Sequence, residues 1–479
     1  MKIAIVTPKW TGTLGRYDFL AQVMVVHYPL NVAILAKYME KNGNHVDIID
    51  AQVENMSNSQ VVDYLFQKKY DVIGYSITSP LYSLAIDIAA KIKLVLPKVI
   101  QIAGGAHINV LQKEAYQHCF DYLVFGEAEE TIVELLRYIH EKSDINIEDI
   151  KGIIYKNKED VVIQNESRPP VENLDTIEFQ AAHLMNLPKY VVCEGVGKPS
   201  KNYISIMASR GCPYKCVFCA EPLNARKLRF RSAENIANEM EYHFKKSGVQ
   251  HFFFVDSSLT LNREQIMQLS QILIDRNFPI TWSGWTRVNL VDEDLFTLMK
   301  KSGFIVVSLG IESGDPRILK IIKKGITLEQ IQNAFAIMNK LNIEAFCSAM
   351  IGLPGETRES VWRTVKFIRK TKGILYATLS MATPYPGTEM YEWLMQGKHG
   401  MKLLDPNLHL RSRWDDCSFS VNDLTPKDLI RLQRIGLFWI HFTPKRILFI
   451  IKMLGFKNVV RAFIEFIGLN RLINKRTRN

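Results

Sequence analysis

Tyr203-Ile204-Ser205-Ile206-Met207-Ala208-Ser209-Arg210-Gly211-Cys212-Pro213-Tyr214-Lys215-Cys216-Val217-Phe218-Cys219 decides how the rest of this chain is read. A short apolar strand runs into a glycine-led loop that carries three cysteines at C-x3-C-x2-C spacing. Three thiolates so spaced can hold three irons of a cubane and leave the fourth iron open to a substrate or cosubstrate, the logic that separates catalytic from structural metal sites. A structural zinc knuckle needs four ligands in paired spacing, and no fourth Cys or His lies near this loop. A disulfide frame is disfavoured as well. The other cysteines, Cys119, Cys193, Cys347 and Cys417, are scattered, and Met1 to Trp10 holds no secretory apolar region. Cysteine usage therefore points to a reducing, cytoplasmic setting.

A chain of 479 residues is too long for one ordinary core, so two or three domains are expected. With 47% hydrophobic and 23% charged residues it has ordinary globular composition. The net charge of +11 invites a nucleic-acid reading, but between Lys427 and Asn479 twelve Lys or Arg face only Asp428 and Glu465. The remainder is close to neutral, and the basicity belongs to a tail. No stretch reaches the roughly 18 uninterrupted apolar residues of a membrane span.

Working outward toward the N-terminus, residues 1–140 alternate β-type runs with helix-period segments. The strands are Lys2 to Val6, Val46 to Ile49, Asp71 to Ser76, Val99 to Ala103 and Tyr122 to Phe125. That alternation predicts an α/β domain with a flavodoxin-like, doubly wound parallel sheet of five strands, which binds ligands beyond the carboxyl ends of its strands. Residues 141–199 read as a linker with a small hairpin, Gly152 to Tyr155 with Val161 to Ile163. From Tyr203 a second βα series runs through His251 to Val255, Ile280 to Trp282, Phe304 to Ser308, Ile343 to Phe346 and Tyr376 to Leu379. Six such strands over residues 200–400 predict a partial (β/α)6 barrel, with its site at the strand C-termini. The cysteine loop follows the first of them. Residues 401–479 read as a basic, amphipathic helical C-terminal region.

The cysteine loop, Asp256-Ser257-Ser258 after the second barrel strand, Gly310-Ile311-Glu312-Ser313-Gly314 after the fourth, Gly352-Leu353-Pro354-Gly355 after the fifth and Thr383-Pro384-Tyr385-Pro386-Gly387-Thr388-Glu389 after the sixth together resemble a radical S-adenosylmethionine (radical SAM) enzyme. The preceding sheet domain resembles a cobalamin-binding domain, which narrows the likeness to the cobalamin-binding radical SAM class. The resemblance covers nearly the whole chain, and the ordered set is specific where any one glycine motif would be weak. It implies that Cys212, Cys216 and Cys219 bind a 4Fe-4S cluster whose free iron takes the amino and carboxylate groups of S-adenosylmethionine. One electron, delivered by reduced flavodoxin or ferredoxin, then cleaves the sulfonium to methionine and a 5'-deoxyadenosyl radical. By the same resemblance Phe218 lies near the adenine, Glu312 meets the ribose, and Asp256, Ser257 and Ser258 meet the methionyl amine. Ser308 in the fourth strand and Arg287 at the end of the third are further S-adenosylmethionine candidates. The bland alternatives are that Glu312 caps the next helix and that Arg287 makes a surface salt bridge.

In related cobalamin carriers an Asp-x-His-x-x-Gly loop follows the first strand, Ser-x-Leu or Ser-x-Thr the third, and Gly-Gly the fourth. This chain keeps Ser76-Ile77-Thr78 and Gly104-Gly105, while Thr7 to Tyr17 contains no histidine. The cobalamin candidates are Thr7, Pro8, Ser76, Thr78, Gly104, Gly105, Gly126 and Glu127. Without a loop histidine the cobalt lacks a lower donor, which favours a methyl group leaving as a radical or a cation. A glycine pair also serves bare backbone packing, so a domain that keeps its fold without cobalamin is the alternative. A lone histidine such as His107 is more often a surface residue than a ligand.

In the tail, Lys452, Lys457, Arg461 and Glu465 share one helical face. This supports either a cap packed on the open barrel or contact with anionic headgroups and an apolar substrate. The functional expectation is methyl transfer from methylcobalamin to an unactivated carbon of a small molecule, with a lipid-like or apolar one among the candidates. Behind it stands a radical oxidation, cyclisation or ring rearrangement of a large apolar or tetrapyrrole-like substrate. A tRNA-modifying enzyme would carry a basic RNA-binding module that is not found near the barrel, and a non-catalytic cobalamin or redox sensor comes last.

Overall fold

The computed structural model describes residues 1–10, 27–140, 145–192, 200–224, 227–405 and 417–467. Strands β1 (Lys2–Thr7), β2 (His45–Asp50), β3 (Val72–Ser76), β4 (Ile100–Gly104) and β5 (Tyr122–Val124) run parallel in the order β2-β1-β3-β4-β5. Ile3, Ala4, Ile5 and Val6 are all buried, because a parallel strand is covered by helices on both faces. The cover comes from α1 (Leu30–Lys41), α2 (Asn58–Lys68), α3 (Tyr82–Val95), α4 (Ala106–Leu111) and α5 (Glu129–Ile139). Helix α2 starts where Ser57 and Gln60 close a reciprocal capping box. Strand order reverses about β1, so the crevice between the loops after β1 and β3 is the switch point where such sheets bind ligands.

The hairpin expected in the linker instead extends this sheet. Strands β6 (Ile153–Lys156) and β7 (Val162–Gln164) add antiparallel to β5 and bring the sheet to seven strands. The physical reason is the edge: β5 is only three residues long and would leave its ladder groups unpaired.

Strands β8 (Tyr203–Ile206), β9 (His251–Phe254), β10 (Thr281–Thr286), β11 (Phe304–Glu312), β12 (Glu344–Ile351) and β13 (Tyr376–Met381) form a second, all-parallel sheet in chain order. The first and last strands do not pair, as a partial barrel requires. Phe254, Trp282 and Phe304 pack edge to face, with centroids 5.4 and 4.7 Å apart. Tyr28, Leu30, Ala33 and Ile34 of the first domain belong to the same apolar core as the barrel. The Tyr28 N–H donates to the Tyr203 hydroxyl at 3.0 Å, and the Tyr190 hydroxyl donates to Asp50 at 2.9 Å. The two sheets therefore share a core rather than a flexible tether.

The C-terminal helices close the barrel. Gly436 in the helix Pro426–His441 allows close approach, since a Cβ there would stand 2.9 Å from Val365 and 3.0 Å from Leu379. His441 covers the open edge of β13: its Nδ1 donates to the Leu437 carbonyl at 2.9 Å, and its Nε2 accepts from the Ala377 N–H at 3.2 Å. Burial lowers its pKa to about 4, so the imidazole is neutral, as that pairing requires. In the next helix, Pro444–Leu454, Met453 and Leu454 pack on Val306 and Phe346. The cap reading of the tail is thus the structural one. Among the described residues no helix is long and apolar enough to cross a membrane.

The buried Arg446 guanidinium fastens this cap through the carbonyls of Ile374 at 3.0 Å, Ile440 at 2.5 Å and Ile368 at 2.8 Å. Arg446→Met should leave those acceptors unpaired and destabilise the protein by about 2–4 kcal/mol. The expected readouts are a lower unfolding midpoint and faster amide exchange over 426–454 than in β9 and β10. An unchanged midpoint would remove Arg446 from the docking account.

Candidate functional site

The cysteine loop leaves the barrel at Ser209–Arg210, which pairs antiparallel with Arg229–Phe230 beyond it. Gly211 takes a φ of +94°, the turn that a side chain would resist. The loop is pinned twice: Val217 N–H donates to the Ile322 carbonyl at 3.2 Å, and Met390 N–H donates to the Val217 carbonyl at 2.9 Å. Cys216 is buried while Cys212 and Cys219 are partly exposed. Burial pushes the Cys212 thiol up and the Cys219 thiol to about 11, so as free thiols both would be protonated. Among the described residues no three His, Cys, Asp or Glu close around one metal ion. Three cysteines on one loop, one buried and two partly exposed, match in number and donor type the three corners of a cubane whose fourth iron stays open. Phe218 is half-buried against the barrel core.

Arg287, which directly follows β10, is buried and makes no surface salt bridge. Its Nη1 donates to Cys216 Sγ at 3.5 Å, its Nε to Asn289 Oδ1 at 3.2 Å and its Nη2 to the Lys324 carbonyl. Its face lies 3.6 Å from the centre of the Tyr214 ring. The guanidinium is therefore turned to the Cys216 sulfur. Lys324 in turn donates through Nζ to Glu312 Oε1 at 2.7 Å, both side chains being buried. A continuous polar chain links Cys216, Arg287, Lys324 and Glu312.

Glu312 does not cap the following helix. That cap is Asp315, whose carboxylate accepts from Arg317 N at 2.9 Å and Ile318 N at 3.4 Å. Glu312 sits instead at a φ of +63°, a conformation a side chain adopts at a cost and one concentrated at functional sites. Gly310 makes room for it, because a Cβ there would stand 2.5 Å from Glu312 Oε1. Ser308 lies on the same strand face as Gly310, by two-residue alternation.

Asp256 plays a different part from the one expected. Its buried carboxylate accepts from Ala208 N at 2.9 Å and Ser209 Oγ at 2.5 Å, clasping the end of β8 to the end of β9. Burial raises its pKa to about 6. Ser258 is likewise committed, donating to the Ser257 carbonyl at 2.7 Å. Ser257 is exposed and hydrogen-bonds the Glu221 carboxylate, two residues beyond Cys219. Burial raises the Glu221 pKa, against that hydrogen bond. Glu221 went unremarked in the sequence because a lone glutamate after the cysteines has no spacing partner to announce it.

On the first sheet, Thr7 ends β1 beside the buried Pro8, and Thr7 Oγ1 is buried without a partner at the switch-point crevice. Thr78 is exposed nearby, and Ser76 Oγ accepts from Asn31 at 2.9 Å. An orphaned hydroxyl and an exposed one at this edge suit a polar ligand such as cobalamin. Gly105 serves the backbone itself: at a φ of +107°, a Cβ there would meet the Ile77 carbonyl at 2.7 Å. Gly104 accepts from Ile77 N at 2.8 Å, stitching the two loops together. His107 is buried rather than on the surface, with Nδ1 3.0 Å from Ser79 Oγ. The loop after β1 from Thr11 to Tyr17 lies outside the described residues.

Gly126 is exposed, its N–H donating to Asn109 Oδ1 at 2.8 Å. Glu127, expected at cobalamin, is committed elsewhere. It takes Arg229 through both oxygens, Arg210 at 3.3 Å and the Val171 N–H at 2.8 Å, while Arg210 also pairs with Glu129. Burial pushes the Glu127 carboxyl up, but the Arg229 hydrogen bond and the Arg210 charge outweigh it and hold the pKa below the usual range. A buried ionic latch thus joins the loop after β5 to the two strands that flank the cysteine loop. Nearby, Gly387 lies where a Cβ would stand 3.0 Å from both Val110 and Leu223, one on each domain. Arg210, Arg229 and Lys324 carried no role in the sequence reading, since charged residues beside a motif look like any solvated surface, and neither did Tyr214, whose ring is matched to Arg287 only by the fold.

Known proteins resemble this chain in sequence and fold. The radical SAM superfamily matches residues 206–368, and the B12 binding domain family matches residues 18–136. An uncharacterized methyltransferase of Pyrococcus horikoshii is 30% identical over 454 residues, covering 93% of each chain. The anaerobic magnesium-protoporphyrin IX monomethyl ester cyclase of Rubrivivax gelatinosus is 28% identical, over 76% of this chain and 66% of its own. The radical S-adenosylmethionine methyltransferase TsrM of Kitasatospora setae, solved with cobalamin and a 4Fe-4S cluster, superposes with a TM-score of 0.71 over 99% of both chains, at 16% identity.

Removing one partner of a buried ion pair typically costs about 3–5 kcal/mol. Glu127→Gln should lower the unfolding midpoint accordingly and expose the 165–230 segment to limited proteolysis, while Glu130→Gln at the exposed neighbouring position should not. Equal protease resistance in both variants would show that the latch does not hold the domains.

Proposed function

The chain belongs to the radical SAM family whose members also carry a B12-binding domain, and from that premise we propose that it transfers a methyl group to an unactivated carbon of a small molecule. The observation that carries this reading is the latch of Glu127 and Glu129 with Arg210 and Arg229. It ties the ligand-binding edge of the first sheet to the strand pair from which the cysteine loop grows. When bound, the cluster supplies an electron for S-adenosylmethionine cleavage, and cobalamin carries the methyl group. Cys212, Cys216 and Cys219 would hold the cluster. Glu312, kept in place by Lys324, is suited to accept hydrogen bonds from ribose hydroxyls, and Ser257 with Glu221 is suited to accept them from the methionyl ammonium. Phe218 and Ser308 complete the nucleoside side. Thr7 and Thr78 line the approach to the first sheet's crevice, where cobalamin would lie, and the exposed Gly126 follows β5 further along the same carboxyl edge. Met453, Leu454 and Phe346 fill the lower barrel and keep water from the radical side of the site.

A second reading has its own support: 28% identity to a cyclase named for a tetrapyrrole substrate favours a radical cyclisation or oxidation. Anaerobic incubation with S-adenosylmethionine, reductant and substrate separates the two. Methyl transfer yields both S-adenosylhomocysteine and 5'-deoxyadenosine, whereas 5'-deoxyadenosine alone supports the second. Alanine at Cys212, Cys216 and Cys219 should reduce S-adenosylmethionine cleavage to background.

The outer face of the C-terminal helices exposes Trp439, Phe442, Leu448 and Phe456 beside exposed Lys445, Lys452 and Lys457. This combination supports peripheral contact with an anionic bilayer and access to an apolar substrate. The full chain should co-sediment with phosphatidylglycerol vesicles more than with phosphatidylcholine vesicles. Leu448→Glu with Phe456→Glu should abolish the difference, and equal binding to both vesicle types would remove the proposal.

A further inference from the structure

Arg287 is held more rigidly than a salt bridge needs. Its side chain is buried, one nitrogen is bonded to the Lys324 carbonyl, Nε to Asn289 at 3.2 Å, and its plane is stacked 3.6 Å from the Tyr214 ring centre. These contacts fix the guanidinium so that Nη1 addresses Cys216 Sγ at 3.5 Å. Cys216 is the most buried thiol of the loop, so little water competes for its sulfur. Arginine keeps its charge at every accessible pH.

We propose that Arg287 sets the reduction potential of the cluster, by placing a permanent cation and an N–H donor on one ligand sulfur. The inference rests on the reading of Cys212, Cys216 and Cys219 as cluster ligands. Reduction adds one electron, from a reduced flavodoxin, ferredoxin or chemical donor, to the oxidised cubane and its three thiolates; no atom moves and no bond breaks. The product carries one more negative charge. A fixed cation beside a ligand sulfur stabilises that product more than the oxidised form, and hydrogen bonds to cluster sulfurs act in the same direction. Arg287 therefore makes the cluster easier to reduce. It is a positioning and charge-setting residue, touching a ligand rather than the substrate.

The polar chain extends this effect. Lys324 receives Arg287 on its carbonyl and holds Glu312 with its ammonium, so the group that sets the potential and the carboxylate proposed for the ribose share one support.

The test is an EPR-monitored redox titration of anaerobically reconstituted protein without S-adenosylmethionine or substrate, with iron and sulfide counted in each sample. Arg287→Gln should keep its iron and shift the reduced-to-oxidised ratio at fixed donor potential about tenfold toward oxidised, equivalent to about 59 mV for one electron. Arg287→Lys, which keeps the charge but loses the fork, should fall between. A full-iron Arg287→Gln protein with the wild-type midpoint overturns the inference. Should Arg287→Gln fail to hold iron, Tyr214→Leu combined with Asn289→Ala decides, since it retains the guanidinium but releases it. A lowered midpoint there supports the inference, and an unchanged one overturns it. A wild-type protein that assembles no reducible cubane would instead sink the cluster-binding reading itself.

Discussion

A buried ionic latch orients the two ligand-binding edges on the apolar core that the two sheets share. Glu127 and Glu129, just beyond the fifth strand of the first sheet, hold Arg210 and Arg229, the residues that bracket the cysteine loop. Desolvating such charges costs nearly as much as their attraction returns, so their contribution is geometric more than stabilising. Losing one partner would strand the others in a dry interface. A single relative placement of loop and sheet is therefore strongly preferred, which chemistry shared between two domains requires.

The second constraint runs across the barrel mouth from Cys216 through Arg287 and Lys324 to Glu312. Its three charged members are all buried and would be costly if left unpaired: the Arg287 guanidinium, the Lys324 ammonium and the Glu312 carboxylate. Below it, the C-terminal helices stop the barrel with Met453 and Leu454 and seal its open edge with His441. A basic tail that invites a surface reading thus also buries an arginine, Arg446, among backbone carbonyls.

Much of this was legible in the residues. Cys212, Cys216 and Cys219 announce themselves by spacing alone, and the two βα series by alternation of apolar runs. The hairpin Ile153–Gln164 was visible as a hairpin, but not its place on the sheet edge, because period-two patterning says which faces are apolar and nothing about which strand is the neighbour. Asp256 and Glu127 were legible as carboxylates in site loops. Their roles were not, since a carboxylate clasping backbone and one awaiting a ligand have the same local sequence.

Local spacing and periodicity carried the fold class and the trio of thiols, and the resemblance of the ordered motifs carried the kinship that joins a radical SAM barrel to a B12-binding domain. What the charged residues do was left to packing. It turned Arg287 to a sulfur, Glu127 to two arginines, Glu312 to Lys324 and Asp315 to a helix start. Pairing of charges is fixed by contacts between residues distant in the chain, 102 positions apart for Glu127 and Arg229, and that contact exists only once the two sheets have packed.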